Sequence, residues 1–230
     1  RCRWDNSAHA HDNPRRCDAD GKPYAPFHDV QAILEGPVAA ALGELARARW
    51  QRAKGRKPVP EKPQPAAHSP WPESIEPALE NVRVAIARTE AAYGHYPELI
   101  EIQNFYCDAI AAARDVLFFE NQYFSSNVIA QALRRRLCED NGPDVVIVTP
   151  QRESGWLEEN TMGLLRARLY EELRNCIESD GIERFRPYCP VLDDGGCLNV
   201  HSKLMTADDE WLTLGSANLS NRSMRLDTEC

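Results

Sequence analysis

The chain has 230 residues, of which 43% are hydrophobic, and it carries a net charge of -8. This length is enough to bury a sizeable core in one domain or in two small ones. The acidic balance excludes bulk attraction to nucleic acid or to an anionic lipid surface, although a local basic pocket could still bind one phosphate. The sequence contains no apolar run of about 18 residues, so no transmembrane helix is predicted.

The N-terminal region is polar. Residues 1–25 are rich in Asp, Asn, Pro and Gly, a composition typical of loops. The histidines of this stretch, His9 and His11, are therefore expected at the surface.

A strand, a helix and a linker are predicted next along the chain. Residues 27–34 predict a strand, and Pro37 opens a helix that continues over 39–50, because proline has no N–H that the first helical turn would leave unpaired. Seven prolines in residues 54–77 predict an extended linker.

From about residue 97 helical and strand patterns alternate. The predicted elements are helices over 99–114, 127–138 and 157–177, and strands over 116–119, 145–148, 182–188, 198–206 and 211–214. The last two strands are joined by a tight polar turn, which predicts an antiparallel hairpin. The predicted fold class is α/β, with a mixed sheet covered by helices on both faces.

The pair His201 and Lys203 carries the strongest chemical signal. Alternate residues of a strand share a face, so the two side chains are expected to project together. An imidazole beside an ammonium is unfavourable when both are charged, and a bound anion such as a phosphate would compensate. Histidine near its own pKa can then transfer protons or attack phosphorus.

Neutral residues with suitable chemistry follow this pair. Gly215 permits close approach of a backbone, and Ser216 and Asn218 can donate hydrogen bonds to phosphate oxygens. Asp208 alone would be an ordinary turn residue.

The spacing His-x-Lys-x-x-x-x-Asp, followed by Gly-Ser-x-Asn, resembles the signature of the phospholipase D superfamily. The residues at 201–203 and 215–223 resemble the second copy of this signature in phospholipases D proper. Residues 26–30 and 119–124 resemble further parts of the same family. This resemblance implies two facing signatures, with the nucleophilic histidine supplied by the first copy.

The resemblance also implies individual roles. His201 would be the general acid and base, Lys203 and Asn218 would hold phosphate oxygens, and Asp208 would be structural. Glu229, in preference to Asp227, would orient a catalytic imidazole. The chemistry of the family implies no metal and no cofactor.

Other residues are candidates for the cleft, with a structural alternative left open for each. His28 and Asp29 either line the pocket or fix the end of a strand. Glu120, Asn121 and Gln122 follow a predicted strand, where the sites of α/β proteins gather, and they either line the cleft or satisfy local backbone groups.

The rest of the resemblance concerns what this chain lacks. No second His-x-Lys occurs in the 230 residues, and the stretch at 1–5 resembles the region just after a first signature. We therefore predict that residues 1–53 are the tail of a first repeat, 54–96 a proline-rich connection, and 97–230 the second repeat. Such a fragment is expected to be inactive unless two copies pair or a first half is supplied.

The resulting hypothesis is a phospholipase D that hydrolyses or transfers the distal phosphodiester of glycerophospholipids through a phosphohistidine and releases phosphatidic acid. Its expected partners are a phospholipid substrate and the membrane periphery, not nucleic acid. The alternatives are a nuclease or other phosphodiesterase, a cardiolipin synthase-like transferase, and an inactive binding fragment. The compartment cannot be read from the sequence.

Overall fold

The computed structural model describes residues 4–56, 69–153, 155–176 and 184–230. These residues form two compact units, one built from Arg1–Gln31 with Ala87–Cys230 and the other from Ala32–Ile86. Parts of three predicted elements lie outside the described residues. They are the four prolines of the predicted linker between positions 58 and 65, the last residue of the helix predicted over 157–177, and the first two residues of the strand predicted over 182–188.

The elements follow one another along the chain as β1 (Phe27–His28), α1 (Pro37–Lys54), β2 (Thr89–Glu90), β3 (Leu99–Ile100), α2 (Glu101–Ala112), β4 (Val116–Asn121), β5 (Phe124–Ser125), α3 (Asn127–Leu137), β6 (Asp144–Val148), α4 (Trp156–Glu158), α5 (Leu164–Arg174), β7 (Phe185–Tyr188), β8 (Asn199–Val200), β9 (Lys203–Ala207), β10 (Trp211–Leu214), β11 (Leu219–Ser220) and α6 (Asn221–Arg225). One π-helical turn, Glu159–Gly163, joins α4 to α5.

A five-stranded sheet in the order β10-β9-β4-β6-β7 forms the centre of the larger unit. Strands β4, β6 and β7 are parallel, because helices α3 and α5 lie between them in the chain and return it to the same edge. Strand β9 is antiparallel to β4 and to β10. The predicted mixed α/β fold is therefore confirmed.

The core lies against one face of this sheet. Alternate residues of β4, β6 and β9 are fully buried there, namely Leu117, Phe119, Val145, Ile147, Met205 and Ala207. Helix α2 contributes Ile102, Tyr106, Ala109 and Ile110, whose spacing gives a helix one apolar stripe. On the other face Phe118, Glu120 and Leu204 are only half-buried.

Two predicted strands are shorter than expected. Of the strand predicted over 27–34, only β1 forms, and it pairs with β8. Ile33 and Leu34 are instead exposed. The strand predicted over 198–206 is divided in two, because β8 pairs with β1 whereas β9 pairs with β4. The chain passes from one sheet to the other at His201 and Ser202.

The smaller unit contains α1, which extends the predicted helix by one turn at its C-terminal end. The helix ends at Gly55, whose positive φ of 68° is accessible to glycine and whose N–H donates to Gln51 O. Within the described part of the chain, no helix combines the length and the hydropathy needed to cross a membrane.

Candidate active site

His201 lies at the point where the chain changes sheets, and three residues in and next to β1 contact it. Its main-chain N–H donates to the carbonyl oxygen of His28 at 2.7 Å. Its Nδ1 lies 3.0 Å from Oδ2 of Asp29, and its ring packs against Phe27 with 5.2 Å between the centroids. The side chain remains 41% exposed, so the imidazole is open to a ligand.

Lys203 is the first residue of β9 and shares its buried face with Met205. Its Nζ donates to the carbonyl oxygen of His201 at 2.5 Å and to Gln122 Oε1 at 3.4 Å. Burial lowers the pKa of the Lys203 ammonium to about 8, against the opposing effects of the Asp29 and Glu229 charges. An ammonium held in this way gains most from a bound anion.

Asp208 is at the opposite end of β9 and binds backbone. It occupies the left-handed region with φ of 49°, and its carboxylate accepts the N–H groups of Arg114, Asp115 and Val116 at 2.8–2.9 Å. Burial alone would raise the pKa of Asp208, but these three hydrogen bonds lower it. The carboxylate thus joins the β9–β10 turn to the start of β4.

The loop after β10 is organised by Glu229, which is buried. The Ser216 hydroxyl donates to Oε2 of Glu229 at 2.5 Å, and the Ser223 hydroxyl donates to Oε1 at 2.8 Å. Gly215 is required there by close approach, because a Cβ at this position would lie 2.5 Å from Cys230 O. Asn218 lies half-buried in the same loop. Ser223 was not singled out in the sequence because a serine on a short helix carries no signal of its own.

The five cleft candidates and Asp227 have different surroundings. Gln122 contacts Lys203, whereas the Asn121 Oδ1 accepts the N–H groups of Tyr123 and Leu219, a backbone role. Glu120 binds His28 at 3.2 Å, and Asp29 binds His201. Asp227 pairs with Arg222 at 2.7 Å.

The N-terminal loop also reaches this region. His9, expected at the surface, is instead held between Asp5 and His28, with its side chain only 17% exposed. His11 is exposed as expected. The sequence missed the role of His9 because its partner His28 is 19 residues away. In the described ranges no cluster of three or more His, Cys, Asp or Glu side chains could hold a metal ion.

Comparison with known proteins identifies the family of this chain. The model of the family described as "Cardiolipin synthase, PLD-like domain" matches residues 106–230, which is more than half of the chain. The chain therefore belongs to the phospholipase D superfamily, and within it to this PLD-like domain family.

Named relatives share the same region at low identity. Cardiolipin synthase A of Cronobacter sakazakii is 26% identical over 203 residues, and that of Salmonella arizonae is 27% identical over the same length. In both cases the match covers 87% of this chain but 36% of the relative. The chain thus spans about a third of the length of these relatives.

Solved structures that match part of this chain include the phospholipase D family member Nuc from Salmonella typhimurium, at 21% identity and a TM-score of 0.41 over 56% of this chain and 72% of that one. Phosphatidylserine synthase of Haemophilus influenzae matches at 20% identity and a TM-score of 0.45 over 62% of this chain and 32% of that one.

Proposed function

We propose that this chain supplies one half of a phosphodiester-exchanging site of the phospholipase D type, acting on glycerophospholipids. The observation that supports the proposal most strongly is the imidazole of His201, held by Asp29 and partly exposed, together with the buried ammonium of Lys203, which donates to the main-chain carbonyl of His201. A phosphodiester anion would stabilise the ammonium in its charged form and bring its ester oxygens to the imidazole.

The proposed reaction has two steps, and His201 acts in both. A histidine of the facing half attacks phosphorus and forms a P–N bond. The P–O bond to the headgroup alcohol breaks, and Nε2–H of His201 gives its proton to the departing oxygen. Water or a second alcohol then attacks phosphorus and loses its proton to His201, while the P–N bond breaks. The products are phosphatidic acid or a new phosphodiester.

The other residues have supporting roles in this proposal. Lys203 and Asn218 hold phosphate oxygens, and Asp29 fixes the ring of His201 through Nδ1, so that Nε2 carries the exchanging proton. Glu229 would orient the imidazole of the facing half in addition to holding Ser216. Asp208 acts only on the backbone.

Binding tests the half-site without requiring turnover. Dimethyl phosphate is titrated into the 230-residue chain, and the side-chain NMR signals of His201 and Lys203 are followed. We expect saturable shifts of both signals, which Lys203→Met abolishes. Lys22→Met, which removes an exposed lysine, is the matched control and should bind like the wild type. Equal affinity in all three proteins would refute the site.

Turnover is tested after joining the chain to a PLD-like half that carries a first signature. With phosphatidylcholine and ethanol, the expected products are choline, phosphatidic acid and phosphatidylethanol. His201→Ala should lower the rate by about 10²–10⁴-fold, the usual contribution of general acid–base catalysis. Absence of any effect would refute the proposed role.

A second candidate is transfer to phosphatidylglycerol, which would form cardiolipin. It is favoured by the relatives that are named cardiolipin synthase A. The same joined protein, given phosphatidylglycerol alone, distinguishes the two. Release of glycerol with formation of cardiolipin supports transfer, and phosphatidic acid without cardiolipin supports hydrolysis.

A further inference from the structure

A row of side-chain hydrogen bonds runs from the sheet to the N-terminal loop. Glu120 Oε2 lies 3.2 Å from His28 Nε2, and His28 Nδ1 lies 3.4 Å from His9 Nε2. His9 Nδ1 in turn lies 3.1 Å from Asp5 Oδ2. Asp5 also forms a buried ion pair with Arg16 at 3.2 Å. We call these four residues, from Glu120 to Asp5, the histidine relay.

The two carboxylates at the ends of the relay determine how many protons its two imidazole rings carry. Both terminal groups are carboxylates, so each outer imidazole nitrogen must donate. The central His28–His9 bond needs one donor and one acceptor. The two rings therefore carry three protons together, which is one imidazolium and one neutral imidazole.

The positive charge belongs on His28. The hydrogen bond to Glu120 raises the pKa of His28; burial opposes this effect, and the charges of Glu120 and Asp29 add to it. The carboxylate at the other end, Asp5, is already paired with Arg16. His9 is then the neutral ring, with its proton on Nδ1 and its Nε2 accepting from His28.

The relay holds both residues of β1, which among the described residues pairs only with the two-residue strand β8. Asp5 Oδ2 accepts the N–H of Phe27 at 2.9 Å, and the side chain of His28 lies between Glu120 and His9. A two-residue pairing has few ladder bonds of its own, so these side-chain bonds decide where β1 lies. Strand β1 and the residue that follows it present the carbonyl of His28 and the carboxylate of Asp29 to the candidate active site.

We propose that His9 and His28 are positioning residues, that the pair carries one positive charge, located on His28, and that this charge holds Asp29 and His201 in place. If the proton between the two rings is lost, the lone pairs of His28 Nδ1 and His9 Nε2 face each other. If a fourth proton is added to the pair, two N–H groups face each other at the same place. Either change breaks a bond of the relay. The geometry of His201 is therefore retained within a window of pH. The consequence for catalysis rests on the proposed function, whereas the window itself does not.

The groups that face the relay determine how the window responds to mutation. His28 faces Glu120 from β4, His9 from the loop and its own neighbour Asp29, while His9 faces Asp5. Glu120→Gln keeps the size of the side chain and removes the charge that supports the imidazolium. Loss of this charge removes the largest cause that raises the pKa of His28, so the upper pH limit of the window should fall.

The first test needs no variant. Long-range ¹⁵N NMR of the 230-residue chain at pH 6.5 should show both nitrogens of His28 protonated and His9 as the Nδ1–H tautomer, the less common form in free histidine. His9 as the Nε2–H tautomer, or His28 with one bare nitrogen at pH 6.5, would overturn the proposal.

The second test measures hydrogen exchange of the His201 amide, which donates to His28 O. Protection should fall by about tenfold above the upper pH limit, after correction for intrinsic exchange. Glu120→Gln should move that limit downwards, and His95→Gln, which changes an exposed histidine outside the relay, should leave it unchanged. An unmoved limit in Glu120→Gln would overturn the proposal.

The two proposals can fail separately. A chain with the expected tautomers but no affinity for dimethyl phosphate would refute the proposed function alone. A chain that binds dimethyl phosphate and has the opposite His9 tautomer would refute the relay alone.

Discussion

Replacing Asp208 with asparagine isolates the contribution of one negative charge to the scaffold beneath the site. In the wild type the carboxylate accepts three backbone N–H groups, from Arg114, Asp115 and Val116. An asparagine oxygen can keep the two that bind Oδ1, but its NH₂ would face the N–H of Arg114, donor against donor. Asparagine also tolerates the left-handed backbone of this position, so no new strain is introduced.

Hydrogen bonds to a charged group contribute about 1.5–3 kcal/mol each. The Asp208 carboxylate is partly exposed, so the lower end applies, and we expect Asp208→Asn to lower the free energy of unfolding by about 1.5–2 kcal/mol at pH 7. The folded pKa of Asp208 is lowered, so this contribution is present above the unfolded value of about 3.9 and is lost as the pH falls through the folded value.

Urea unfolding measured from pH 7 down to about pH 3 checks both statements. The difference between wild type and Asp208→Asn should be full at pH 7 and should narrow towards the acid end. Asp209→Asn is the neighbouring exposed control and should change stability by less than about 0.5 kcal/mol. The reasoning is refuted if Asp208→Asn behaves like this control, or if its deficit is the same at every pH.

Three further predictions concern the site and its support. Because the pKa of Lys203 is about 8 in the folded chain, the free energy of unfolding should rise with pH between about 8 and the ordinary value of about 10.4, and urea unfolding of Lys203→Met should lack that rise. Gly215→Ala places a Cβ 2.5 Å from the backbone oxygen of Cys230 and should cost about 1–3 kcal/mol by the same assay; unchanged stability would contradict the contact. Arg16→Met removes the cation that pairs with the buried carboxylate of Asp5, so we expect a loss of about 3–5 kcal/mol or early proteolysis of the N-terminal loop, and equal protease resistance would contradict the ion pair.

Periodic segments of the sequence were predicted well. Helices α2 and α3 and the β9–β10 hairpin lie where apolar spacing indicates them, because each of these elements buries a single stripe or face against the core. The strand expected over 27–34 failed for the opposite reason. Its apolar residues Ile33 and Leu34 are exposed, and strand formation depends on a partner that local sequence does not reveal.

The sequence indicates candidate residues for the site but not how they are connected to one another. The spacing of His201 and Lys203 is visible in the sequence, whereas the pairing of His201 with Asp29 joins residues 172 positions apart. The histidine relay is equally invisible in the sequence, because it depends on the N-terminal loop packing beside β4. Such contacts come from tertiary packing and have no local signal.

The four residues between Lys203 and Asp208 set the distance and the relative orientation of these two side chains. Strand β9 occupies that interval, so the ammonium and the carboxylate stand at opposite ends of one strand, about 17 Å apart. Asp208 binds the start of β4 and so fixes the register of β9 at its C-terminal end. This register determines the face of the sheet on which Lys203 lies at the N-terminal end of β9. One inserted or deleted residue would turn the ammonium to the opposite side of the sheet. A related chain with three or five intervening residues would need a β-bulge to compensate.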